Sequence, residues 1–146
     1  HGHAIQRIEL GYLLSGSELD QPDGTLNGPA YAAKSSIRAL ATASPLPFSE
    51  LLRGPASFGS LLQGERYRAV PSAAEPGPEG ADYFSGGYST RRHGSTDAGG
   101  ISGIQLEHYR IGIRDTDQNR RAYAEALAEV ILSYMEFHDI AGAGAN

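Results

Sequence analysis

Three groups of residues have types and spacings that chemistry can use. The first is His1-Gly2-His3. Alternate residues of an extended segment point the same way, so two imidazoles can face one ion. With a free terminal amine, His3 would also chelate Cu(II) or Ni(II) through that amine, two backbone nitrogens and its ring. A solvated terminus is the plainer alternative. The second group is the run Tyr83-Phe84-Ser85-Gly86-Gly87-Tyr88-Ser89-Thr90-Arg91-Arg92-His93-Gly94. Paired glycines let a backbone approach a ligand closely. An arginine beside them offers a planar fork that matches a carboxylate. The third is Gln105-Leu106-Glu107-His108. On a strand, Gln105 and Glu107 share one face and Leu106 takes the other. A Glu at the C-terminal end of a strand stands where open α/β sheets place active-site groups, and a carboxylate there can act as a general base. Taken singly, each group has a commoner explanation: a solvated loop for the glycines and arginines, and an ion pair with Arg110 or Arg114 for Glu107.

The elements that must position these residues follow from periodicity and punctuation. Residues 4–14 alternate at first, with Ile5, Arg7 and Glu9 against Gln6, Ile8 and Leu10, and then turn apolar, which predicts a strand. Residues 15–28 are rich in Ser, Asp, Pro, Asn and Gly and read as a loop. Pro29 suits a first helical position, and the spacing predicts a helix over 29–43 that Ser44-Pro45 ends. Short helices are expected at 48–53 and 57–64, the second capped by Ser57 and stopped by Gly64, and then a short strand at 67–70. Over 71–100, prolines and glycines leave no regular period, so a long functional loop is expected. Residues 101–109 read as a strand. Tyr123, Leu127, Val130, Ile131, Tyr134 and His138 recur at helical spacing, which predicts a helix over about 116–138 capped near Asp115, Thr116 or Asp117. The order predicts an α/β chain, a three-layer sandwich around a mostly parallel or mixed sheet. Residues 1–140 form one domain on this reading, with a Gly/Ala tail at 141–146 that has no side chains to bury.

Composition narrows the partners. The chain has 146 residues, a formal net charge of −5 and no basic run, so it carries no electrostatic footprint for nucleic acid. No apolar stretch reaches the roughly 18–20 residues that span a bilayer. The absence of cysteine excludes thiolate metal sites and disulfides. The chain opens on His1 without an initiator Met, so it is expected to be a processed product or part of a longer polypeptide.

Together the second and third groups resemble the C-terminal half of the N-formylglutamate amidohydrolase family. The match is Gly86-Gly87-Tyr88-Ser89-Thr90-Arg91, Gly94, then Ile104-Gln105-Leu106-Glu107 and an amphipathic helix; the opening His1-Gly2-His3 followed by a strand is similar to the segment around that family's central histidine ligand. The resemblance implies a zinc-carboxypeptidase-like fold, present here incompletely, and zinc-dependent hydrolysis of an amide in a small carboxylate-bearing, N-acyl amino acid-like substrate. It implies Glu107 as the catalytic carboxylate. It further implies Arg91 as the holder of a substrate carboxylate, with Gly86, Gly87, Tyr88 and the neighbouring Arg92 around the pocket, and His1 or His3 as a zinc ligand. Two of that family's three ligands come from its N-terminal half, so the isolated chain is expected to bind zinc weakly and to turn over slowly or not at all, with that half or a second copy as its partner. Arg92-His93 and the stretch 72–82 depart from the family pattern and leave the substrate open. Two readings from other classes stand beside this one: a non-catalytic, self-assembling fragment, and a copper- or nickel-binding protein that uses its N-terminal His.

Overall fold

The computed structural model describes residues 5–96 and 99–139. His1, His3 and the 141–146 tail lie outside the described residues. The chain is α/β, with short helices around a three-stranded mixed sheet. The strands are β1 (Ile8–Gly11), β2 (Ala69–Val70) and β3 (Gln105–Glu107), in the order β2-β1-β3. β1 and β2 run parallel, with Ile8 opposite Ala69. β1 and β3 run antiparallel, with Glu9 opposite Glu107, Leu10 opposite Leu106 and Gly11 opposite Gln105. Residues directly opposed in an antiparallel pair stand on the same face. This register therefore makes one apolar face, from Ile8, Leu10 and Leu106, and one polar face, from Arg7, Glu9, Gly11, Gln105 and Glu107.

The apolar face packs against helices. These are α5 (Phe48–Arg53), α6 (Phe58–Gly64) and the long α8 (Asp117–Phe137). Ile8 and Leu10 are fully buried with Leu51, Leu52 and Leu62, and Val130 of α8 joins the same cluster. Phe58 meets Tyr134 edge-on with ring centroids 5.3 Å apart, and Tyr67 meets Tyr123 in the same way at 4.9 Å. The expected caps form. The Ser57 side chain accepts the Ser60 N–H at the start of α6, and Thr116 accepts the Asn119 N–H at the start of α8. No helix among the described residues is long and apolar enough to cross a membrane.

Three sequence expectations are corrected. Residues 15–28 are not only loop, since they hold two one-turn helices, α1 (Gly16–Leu19) and α2 (Asp23–Leu26). Ser15 and Glu18 close a capping box over α1, and the Arg53 guanidinium ties α2 in through Asp23 and the Leu19 and Gln21 carbonyls. The helix expected over 29–43 is broken into α3 (Pro29–Lys34) and α4 (Arg38–Ala43). The break has a tertiary cause. The Ser36 N–H donates to the Tyr12 carbonyl at 2.9 Å, and the Ser36 carbonyl accepts the Ser95 and Gly103 N–H groups, so this residue's backbone is taken by distant segments. Third, residues 71–100 contain α7 (Tyr88–His93), so Tyr88, Arg91 and Arg92 stand on a helix.

Candidate functional site

The polar face of the sheet is covered by the segment 82–87, which lies along β1 and is fastened to it one polar group at a time. Arg7 and Glu9 are 5 % and 2 % exposed. The Arg7 Nε donates to Glu9 Oε1 at 3.4 Å, and Arg7 Nη2 donates to the Asp82 carbonyl. Glu9 Oε2 accepts the Phe84 N–H at 2.8 Å. The Tyr83 hydroxyl donates to the Leu10 carbonyl, and the Leu13 N–H donates to the Ser85 carbonyl at 2.7 Å. A buried charge is tolerated only when paired and hydrogen-bonded, and Glu9 is both.

The two glycines at the end of this segment are there for space. A Cβ on Gly11 would stand 2.6 Å from the Gly86 nitrogen, so strand and segment touch backbone to backbone. Gly86 has φ +119°, a region that side chains disfavour. Gly87 then opens α7 with no side-chain cap of its own. The cap comes from β3: Gln105 Oε1 accepts both the Gly87 N–H at 2.8 Å and the Thr90 hydroxyl at 2.7 Å. One side-chain amide therefore docks the start of α7 onto the strand that ends in Glu107.

Gly86, Gly87, Gln105 and Glu107 are brought onto one face of the sheet. Glu107 lies two residues, about 7 Å, along β3 from Gln105. It is partly exposed and sits directly opposite buried Glu9, and its side chain forms no salt bridge or hydrogen bond among the described residues. The pairing with Arg110 or Arg114 that would have made it structural does not form. Ser89, Thr90 and His93 of α7, with Gly94 just after it, line a shallow pocket of ≈ 240 Å³ with residues 101–105. Tyr88 and Arg91, three apart, share the helix face turned away from that pocket. Tyr88 is 78 % exposed, and Arg91 and Arg92 are exposed.

His108 goes elsewhere. It follows β3 on the apolar side, where its Nε2 lies 2.6 Å from the Tyr123 hydroxyl and its ring meets the Tyr123 ring edge-on. Burial, and then the Arg114 charge, hold its pKa below the ordinary value, against an opposite pull from Glu107. The buried Arg7–Glu9 pair is the feature that sequence reading did not single out as part of a site. Its signal was present in the alternation of charged and apolar residues through β1.

A catalytic zinc takes three protein ligands. Among the described residues no group of three His, Asp or Glu side chains could hold one. Glu9 is engaged by Arg7 and Phe84, and His108 faces Tyr123. The described residues alone therefore do not fit a zinc, and the candidates His1 and His3 lie outside them. The antiparallel register does put the chain entering β1 at the same end of the sheet as Glu107. No family profile, curated protein or solved structure matches this chain.

Proposed function

We propose that this chain is the C-terminal portion of a zinc-dependent amide hydrolase of the N-formylglutamate amidohydrolase type, with a zinc-carboxypeptidase-like fold to which the three-stranded sheet contributes. The substrate is a small N-acyl amino acid or a compound like it. The observation that carries the reading is the standing of Glu107. On a face where Arg7, Glu9 and Gln105 each have a named side-chain partner, Glu107, as partly exposed as Gln105, is left unengaged among the described residues. An unpaired, partly exposed carboxylate can take the proton of an attacking water and return it to the leaving amine.

Gln105 holds the start of α7, and α7 carries Arg91 on its open face with Tyr88 beside it. A guanidinium there binds a substrate carboxylate through two parallel hydrogen bonds and so orients the amide. Arg92 widens the positive field at the mouth of the site. Zinc would supply the Lewis acidity for activating water and polarising the carbonyl. His1 or His3 is proposed as one ligand. Six residue steps separate His3 from Glu9, and a chain of that length spans at most about 20 Å. The remaining ligands would come from outside this chain.

The test is amine release from N-formyl and N-acetyl amino acids, compared with their α-carboxamides, with zinc supplied. Slow release from the free acids is expected. Arg91→Ala should raise KM for the acids about 10- to 100-fold, the size of a lost charged hydrogen bond, and leave the carboxamides nearly unaffected. Release from the free acids that does not depend on zinc, or an equal KM change for acids and carboxamides, would overturn the reading.

A further inference from the structure

α8 has 21 residues, and Tyr123, Val130 and Tyr134 are its buried ones. A second face carries Ala124, Ala128, Ile131, Leu132 and Met135. Ile131 is 40 % exposed, Leu132 is 62 % exposed, and both alanines are exposed. The spacing of Ala124, Ala128, Ile131 and Met135 is i, i+4, i+7, i+11, the repeat of a helix–helix seam. This seam lies about a third of a turn away from the side that packs on α6. Three of the exposed large hydrophobics of the described residues, Ile131, Leu132 and Phe137, are on this one helix.

We propose that this face of α8 docks on the same face of a second copy of the chain, with the two helices antiparallel. The charges at its two ends select that occupant. Arg121 lies at the N-terminal end of the seam and Glu136 at the C-terminal end, both exposed and on the same flank. They are 15 residues apart, about 22 Å of helix, and the midpoint falls between Ala128 and Glu129. A two-fold antiparallel copy sets each Arg121 against the Glu136 of its partner; a parallel copy would set like charges together. Neither residue has a salt bridge among the described residues, so both are free to pair. The side-chain sizes complement each other within one residue of that register. Leu132 of one copy falls over Ala124 of the other, and Ala128 meets Ala128, which lets the helices come close. A two-fold contact of this kind closes on itself, with the same patch used twice.

The chain has no cysteine, so introduced ones report without background. Sedimentation of the full chain at rising concentration should show a monomer–dimer equilibrium. Leu132→Glu should weaken it about 10- to 100-fold, since that leucine is buried only in the pair. Under mild oxidation Ala128→Cys should give a covalent dimer by itself. Ala124→Cys should not, but should cross-link when mixed with Leu132→Cys. Arg121→Glu and Glu136→Arg should each weaken dimerisation alone and restore it when the two variants are mixed. A chain that stays monomeric at high concentration overturns the proposal and leaves the face to another partner. A dimer indifferent to Leu132→Glu, or one in which Ala128→Cys does not cross-link, overturns it equally, because the contact is then elsewhere or in another register.

Discussion

The two faces of the sheet are built from alternate residues of the same short strands and kept by different means. On one, Ile8, Leu10 and Leu106 meet helix side chains in a dry cluster where any apolar group of the right volume would serve. On the other, Arg7, Glu9, Gly11 and Gln105 are each matched to a particular atom of the segment 82–87 or of α7. Area removed from water holds the first face. Exact partners hold the second, because a buried polar group without one costs more than its hydrogen bond returns. A face organised in that way has little reason to leave one carboxylate out, and among the described residues Glu107 is left out. That contrast is the physical ground for treating it as a working group.

The contrast can be broken where it is strongest. Glu9→Ala leaves the buried Arg7 guanidinium with only the more distant Glu75 carboxylate, 3.9 Å away, and releases the Phe84 N–H, and should cost about 2–4 kcal/mol by chemical denaturation. Replacing both partners by apolar residues, Arg7→Leu with Glu9→Met, should recover much of that loss by making the polar face resemble its opposite. A single replacement that costs under about 1 kcal/mol would show that the pair does not hold the segment.

A smaller effect sharpens the comparison from the apolar side. The pKa of His108 is held below its ordinary 6.5 by burial, so the unfolded chain binds more protons than the folded one as pH falls through that value. Stability contributed by neutral His108 is complete above pH 6.5 and declines below it, toward the lower folded pKa. The melting temperature should fall across that window in the wild type, and the fall should be shallower in His108→Gln. Equal slopes in the two proteins would place the titration elsewhere.

Much of this was legible in the sequence because it depends on local pattern. The α8 stripe, the Ser57 and Thr116 caps, and the shared face of Gln105 and Glu107 follow from periodicity or from a single side chain. What was not legible depends on distant partners. The break at Ser36 exists because Tyr12, Ser95 and Gly103 take its backbone groups, and α7 starts at Gly87 because Gln105, eighteen residues later, supplies its cap. The Ser15–Glu18 capping box was present in the sequence, but one turn among Ser, Asp and Gly residues has too little apolar period to announce a helix. In the candidate site, residue types could be read singly. The burial of Arg7 and Glu9, which gives the exposure of Glu107 its meaning, could not.

The central claim is that Glu107 moves a proton in amide hydrolysis and does not hold the fold. Its most direct test is the turnover of Glu107→Gln on an N-acyl amino acid, measured beside its thermal unfolding. The account predicts a loss of about 10²- to 10⁴-fold in rate with stability unchanged to within about 0.5 kcal/mol. Turnover within twofold of the wild type, or a loss of rate that only tracks a loss of folded protein, would contradict it.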